Sequence, residues 1–108
     1  MVKSVTLIKR KPGISRDEFI RHYEEVHVPL VLKHFSFKRY VRNHVIPPGV
    51  EEAKFDCITE IWYESWAECH ACTRFWQSDN GHELRADEHT FMDRDKSVYF
   101  LVEEKATI

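Results

Sequence analysis

Histidine and tyrosine side chains at positions that should be apolar are the residues of this chain best suited to chemistry. Phe19, Tyr23, Val26 and Leu30 recur at spacings of four, three and four, which is one face of a helix. His27 follows Tyr23 by four residues and shares that face or its border. Pro29 lacks a backbone N–H and crowds the carbonyl four residues back, so the helix is expected to kink or restart near His27. An imidazole held there can act as general base or acid beside a carbonyl. It can also be a core histidine satisfied by a backbone carbonyl at the kink. Both readings stay open for the segment alone. In Arg39-Tyr40-Val41-Arg42-Asn43-His44, Tyr40 and His44 share one strand face with Arg42 between them. A phenol and an imidazole lining a cavity could donate to a substrate oxygen or shuttle a proton. The alternative is an exposed edge with Arg42 in water.

A strand from Phe55 to Tyr63 carries the next candidates. One face presents Phe55, Cys57, Thr59, Ile61 and Tyr63, the other Asp56, Ile58, Glu60, Trp62 and Glu64. A sheet with one wet face should show one polar set, yet the second set holds Ile58 and Trp62. Helices can cover only one face, so a second copy of the chain is expected on the other, as a homodimer. Asp56 and Glu60 become half-buried carboxylates. They either orient a histidine or pair with Arg39, Arg42 or lysines at the rim. Trp62 and Phe91 are candidate pocket walls, with Tyr23 beside His27. Leu84, Glu88 and Phe91 share one helix face with Asp87 beside them, and Asp87, Glu88 and Asp93 read as a solvated face or a cap.

Several chemistries fit poorly. Cys69-His70-Ala71-Cys72 has redox spacing, but its helix is capped at Ser65, so Cys69 lies a turn inside, away from the activating helix start. Cys69, Cys72 and Trp76 fall along one stripe and read as buried packing residues. His22, His27 and His34 are five and seven apart, which is not the spacing of a helical metal pair, and no metal site is expected. With three glycines in all, there is no phosphate loop and no nucleotide or flavin fingerprint, so no cofactor is expected.

These candidates need a scaffold, and the chain supplies one. Val2 to Lys9 is rich in β-branched residues and reads as a strand. Ser15 with Glu18 forms a capping box that opens a helix running to about Phe35. Phe37 to Ile46 and Phe55 to Tyr63 are strands. Ser65 with Glu68 caps a second helix to about Gln77. Ser78-Asp79-Asn80-Gly81 breaks it, a short helix follows from about His82 to Met92, and Ser97 to Glu103 is the last strand. The order βαββαβ is the ferredoxin-like α+β arrangement, a four-stranded antiparallel sheet with helices on one face.

A chain of 108 residues is one domain with a thin core. Its 16 basic and 18 acidic residues give a net charge of −2, and the basic ones are spread, so no nucleic-acid stripe appears. No apolar run approaches the roughly 20 residues of a membrane span, and the N-terminus reads as a strand rather than a signal peptide. Three cysteines without a secretory signal favour a reducing cytoplasm.

His22-Tyr23-Glu24-Glu25-Val26-His27-Val28-Pro29-Leu30 resembles the core motif of the EthD family, small proteins of the dimeric α+β barrel superfamily. The resemblance extends to Lys9-Arg10-Lys11-Pro12-Gly13, to the helix start at Ser15 and to Arg39–His44, and covers the whole chain. It implies a homodimeric barrel and an accessory role in degrading ethers and other xenobiotics. Relatives by resemblance include decarboxylases and dehydratases of aromatic polyketide pathways. Because this fold hosts many chemistries, the motif speaks to fold more than to reaction. Residues and resemblance together point to acid–base chemistry on a small hydrophobic carbonyl or phenolic compound. His27, Tyr40 and His44 would act on it, with Tyr23, Asp56, Glu60, Trp62 and Phe91 around them. The competing readings are a non-catalytic partner of an oxygenase, and a cofactor-free oxygenase or haem-handling barrel.

Overall fold

The computed structural model describes residues 2–49 and 52–108. Strands β1 (Val2–Arg10), β2 (Arg39–His44), β3 (Cys57–Tyr63) and β4 (Met92–Glu103) form one antiparallel sheet in the order β2-β3-β1-β4. Helices α1 (Arg16–His22), α2 (Val28–His34), α3 (Trp66–Gln77) and α4 (His82–Phe91) cover one face. This is the ferredoxin-like α+β architecture that the sequence predicts.

The expected capping boxes are visible at α1, where the Ser15 side chain accepts from the Glu18 N–H and the Glu18 carboxylate accepts from the Ser15 N–H. Ser65 caps α3 in the same way from its side chain. The proline-broken helix restarts beside His27, one of the two expected outcomes, and does so through an unexpected device. The chain widens into a π turn, Tyr23–His27, in which the Val28 N–H donates to the Tyr23 carbonyl, and α2 begins at Val28. The wider turn absorbs the donor that Pro29 lacks and the crowding of its ring. It also rotates the helix. Val26, expected on the buried face, is 47% exposed, while His27 takes the interior position beside Tyr23 and Val28.

The core lies between helices and sheet. Ile8, Phe19, Tyr23, Val28, Cys57 and Phe91 pack in one cluster, and Ile61, Tyr63, Cys69 and Cys72 in another. Gly81 closes the turn between α3 and α4, where a Cβ would lie 2.3 Å from the Trp76 carbonyl oxygen. Only glycine permits that approach, which lets α4 fold back beside Trp76. Strand β4 begins at Met92, earlier than the sequence suggests, and is interrupted opposite Ile8: Leu7 pairs with Val98 but Lys9 pairs with Asp93. Among the described residues no helix is long and apolar enough to cross a membrane.

Candidate functional site

A cavity of about 350 Å³ opens between the sheet and the helices, bordered by residues of both clusters. Its sheet floor carries hydroxyls. Even-numbered residues of β1 and odd-numbered residues of β3 point to the helices, so Ser4, Thr6, Thr59 and Tyr63 stand in rows beside Ile8 and Ile61. Tyr40 extends that floor from β2 beside Ile61, and Tyr23 of the π turn hangs over it. The Tyr23 hydroxyl lies 2.6 Å from Thr59 Oγ1 and 3.5 Å from the Tyr40 hydroxyl. Burial pushes the Tyr23 phenol well above its ordinary value and Tyr40 up to about 12, so both keep their protons and remain donors at neutral pH.

His27 forms part of the wall and is 2% exposed. Its Nδ1 lies 2.8 Å from Asp87 Oδ2 on α4. A carboxylate only accepts, so Nδ1 carries the proton and Nε2 presents a lone pair. Burial lowers the pKa of His27 and outweighs the opposing effect of Asp87, so the ring is neutral at pH 7. The other oxygen of Asp87 lies 2.9 Å from Nε2 of His22, the last residue of α1. The rings of Tyr23 and Phe91 pack against the imidazole, with centroids 5.6 Å and 5.0 Å away.

Glu88 follows Asp87 and reaches the same cavity from the other side. Oε2 accepts the Trp76 indole N–H at 2.8 Å and lies 3.8 Å from His27 Nε2, and Oε1 accepts from Arg94 Nη1 at 2.6 Å. Burial pushes this carboxyl up to about 7, against the lowering effects of Arg94 and Trp76. Both acids of α4 correct the sequence reading, which treats them as a solvated face or cap. The signal was the stripe Leu84, Glu88, Phe91, all three buried. A carboxylate within such a stripe needs a buried partner.

The structure brings His27, Tyr23 and Tyr40 to one cavity, and places the other candidates elsewhere. His44 Nε2 donates to Glu24 Oε2 at 2.8 Å, and Arg42 holds the same carboxylate through two N–H groups. The three tie β2 to the π turn, with His44 outside the cavity lining. Phe91 is fully buried beneath the rings of Phe19, Tyr23 and His27, a support rather than a wall. Asp56, Glu60 and Trp62 do not reach His27, because strand alternation turns them away from the helices. Asp56 accepts the Arg10 backbone N–H at 2.8 Å and pairs with Lys9 and Arg10. Glu60 pairs with Lys3 at 2.6 Å and accepts from Asn43, and Trp62 lies under Lys3 and Arg39. The carboxylate that orients a histidine is therefore Asp87, not Asp56 or Glu60. Cys69 and Cys72 are buried, and burial raises both thiols, Cys72 to about 11, which suits packing rather than exchange.

Solved structures with this fold include an ethyl tert-butyl ether D (EthD) family protein from Bacillus halodurans. It is 19% identical, with a TM-score of 0.71 over 97% of this chain and 100% of that one. A protein from Arabidopsis thaliana is 18% identical, with a TM-score of 0.67 over 100% of this chain and 99% of its own. At such identities the likeness is one of fold. No curated protein matches the chain. The model of the EthD domain matches residues 11–95, from the end of β1 into β4, and the chain belongs to the EthD family.

Proposed function

We propose that the chain is a cofactor-independent enzyme that moves a proton next to the carbonyl of a small hydrophobic or phenolic compound. One observation carries this reading: His27 faces the cavity with its Nδ1 proton held 2.8 Å from Asp87. That arrangement leaves Nε2 as a base of fixed direction. In the proposed step Nε2 takes a proton from the carbon beside the carbonyl. The electron pair moves onto the carbonyl oxygen, which accepts a hydrogen bond from the Tyr40 or Tyr23 hydroxyl. Return of the proton to another atom gives isomerisation, and expulsion of a β-hydroxyl that takes the proton from His27 gives loss of water. A decarboxylation would reach the same enolate by breaking the carbon–carboxylate bond, and its carbon would then take a proton from water. A buried phenol is a good donor here because it does not ionise.

The chemistry also limits what the family's ether name can mean for this chain. An unactivated dialkyl ether has no proton that an imidazole can remove. A carbonyl compound arising downstream of ether oxidation does, and aromatic metabolites supply others. We place the protein in such a degradative or aromatic route, in the cytoplasm. We also propose that it works as a homodimer. The sheet face away from the helices carries Val5, Leu7, Ile58, Val98 and Phe100, with Val98 38% and Phe100 47% exposed, and a second sheet would cover them.

The test is proton exchange in heavy water. Small aromatic and aliphatic ketones, lactones and acylphenols are incubated with the protein, and loss of the α-proton signal is followed by NMR. Exchange that falls by about 10²–10⁴ in His27→Gln is the expected result. Binding without exchange in any compound would return the protein to the reading of a non-catalytic carrier.

A further inference from the structure

We propose that the ligand of this cavity is an aromatic or similarly flat carboxylic acid, whose carboxylate takes Arg94 from Glu88 while Glu88 takes up a proton. This rests on the reading of the cavity as the ligand site and adds the class of ligand.

The first support is how Arg94 reaches the cavity. Between the pairs Leu7–Val98 and Lys9–Asp93, β1 has one residue, Ile8, and β4 has four, Arg94 to Ser97. The excess forms a bulge pinned by Ser97, whose hydroxyl donates to the Asp93 carbonyl at 2.8 Å and accepts the Lys9 N–H at 3.2 Å. Bulges of this kind re-aim side chains. Here the bulge places a guanidinium on the cavity border, and among the described residues Arg94 is the one lysine or arginine of the lining. Its side chain is 44% exposed, and among the described residues its partner is Glu88 alone. A guanidinium has five donors, so a planar fork stays open to a carboxylate.

The second support is charge balance. Glu88 is 7% exposed and faces Trp76 from α3, Arg94 from β4 and His27 from the π turn, with Asp87 and Arg85 on its own helix. Arg85 is committed to the Trp76 and Ser78 carbonyls. Arg94 and ionised Glu88 already cancel. A ligand carboxylate would add an uncompensated charge beside the buried Glu88, which is costly. Protonation of Glu88 removes that charge, and burial has already brought this carboxyl to about 7. The protonated acid can then donate to a ligand oxygen. One guanidinium balances one carboxylate and not a dianion such as a phosphate. A volume of about 350 Å³ sits near the lower end of ligand pockets and suits a single substituted ring.

The test compares matched acids and amides, salicylate with salicylamide and cinnamate with cinnamamide, on the wild-type protein. Titrations are followed through the Trp76 indole N–H signal, which reports directly on Glu88, and by calorimetry in two buffers of different ionisation heat. An acid should bind about tenfold or more tightly than its amide. Proton uptake should approach one at about pH 8 and be small at about pH 6, where Glu88 is already protonated. Arg94→Gln should lose the preference for the acid and keep amide binding. An amide that binds as well as its acid, or acid binding without proton uptake at about pH 8, overturns the proposal and leaves the cavity as a ligand site. Failure of every acid and every amide to bind removes both readings together.

Discussion

The two faces of the sheet handle buried polar groups in opposite ways. On the outer face Asp56, just before β3, is matched by Lys9 and Arg10 of this same chain, and Glu60 of β3 by Lys3. Trp62 is shielded there by the stems and charges of Lys3 and Arg39. On the helix face Arg42 and Glu24 also pair at the β2 edge, but around the cavity the charged groups are two acids of α4, and they meet imidazoles, an indole and one half-exposed guanidinium. Around them stand hydroxyls and a cavity. Charges neutralised on the spot hold a structure together, whereas groups held neutral, oriented and facing empty space can act on something else. The hydroxyl floor and the outer ion pairs come from alternate residues of the same strands, so strand pattern alone would not separate the two faces.

The largest expected effect lies under the helix face. Phe91→Ala should cost about 3–5 kcal/mol, read from the denaturant midpoint, because a fully buried ring that contacts Phe19, Tyr23 and His27 is lost. A loss below about 1 kcal/mol would mean that the base of the site is not packed as described. The outer face is tested next by Ile58→Asp. A charge in the proposed contact between subunits should weaken the dimer roughly a hundredfold or more in sedimentation at micromolar concentration. A wild-type protein that sediments at 13.0 kDa would remove the dimer altogether.

Asp87→Asn sharpens the contrast between the faces. It should cost about 1–3 kcal/mol, since the single amide oxygen can accept from only one of His22 and His27 and the NH2 group faces the other. It should also lower the His27 pKa further, because Asp87 opposes the effect of burial. Lys3→Met on the outer face should cost at most about 1 kcal/mol in the same assay, since its partners Glu60 and Glu104 keep access to water. Equal losses from the two variants would erase the distinction drawn here.

The pH dependence follows from the same groups. His27 has a folded pKa below the ordinary 6.5, so the unfolded chain binds its proton first as pH falls. The His27 contribution to stability should therefore decline as pH drops below 6.5 and level off beneath the folded value, while Glu88, raised to about 7 by burial, contributes a gain of opposite sign as pH falls from about 7 toward 4.5. Glu24, held down chiefly by Arg42, adds a second loss as pH falls through and below 4.5. His27→Gln should flatten the first decline and leave the second.

Most of the fold was legible because its signals are local. The capping box at Ser15, the side-chain cap at Ser65, β-branched runs and the Ser78–Gly81 break each rest on neighbours in sequence. Strand parity gave the two faces of β3 correctly, but not which of them meets the helices. That choice decides whether Asp56 and Glu60, or Asp87 and Glu88, lie near His27. It depends on contacts between α4 and the π turn, some sixty residues apart, such as His27 to Asp87. The π turn was illegible for a different reason: a proline predicts trouble in a helix, not which of several remedies the chain adopts. The bulge at Arg94 needs the register of β1 against β4, which no local pattern encodes.

Nitrogen NMR of the His27 ring across pH probes the centre of the site without a substrate. The geometry predicts a neutral ring at pH 7 with the proton on Nδ1 and Nε2 bare, titrating below the ordinary 6.5. A proton on Nε2 at neutral pH, or a midpoint above 6.5, would contradict a base aimed into the cavity and return His27 to a purely structural role.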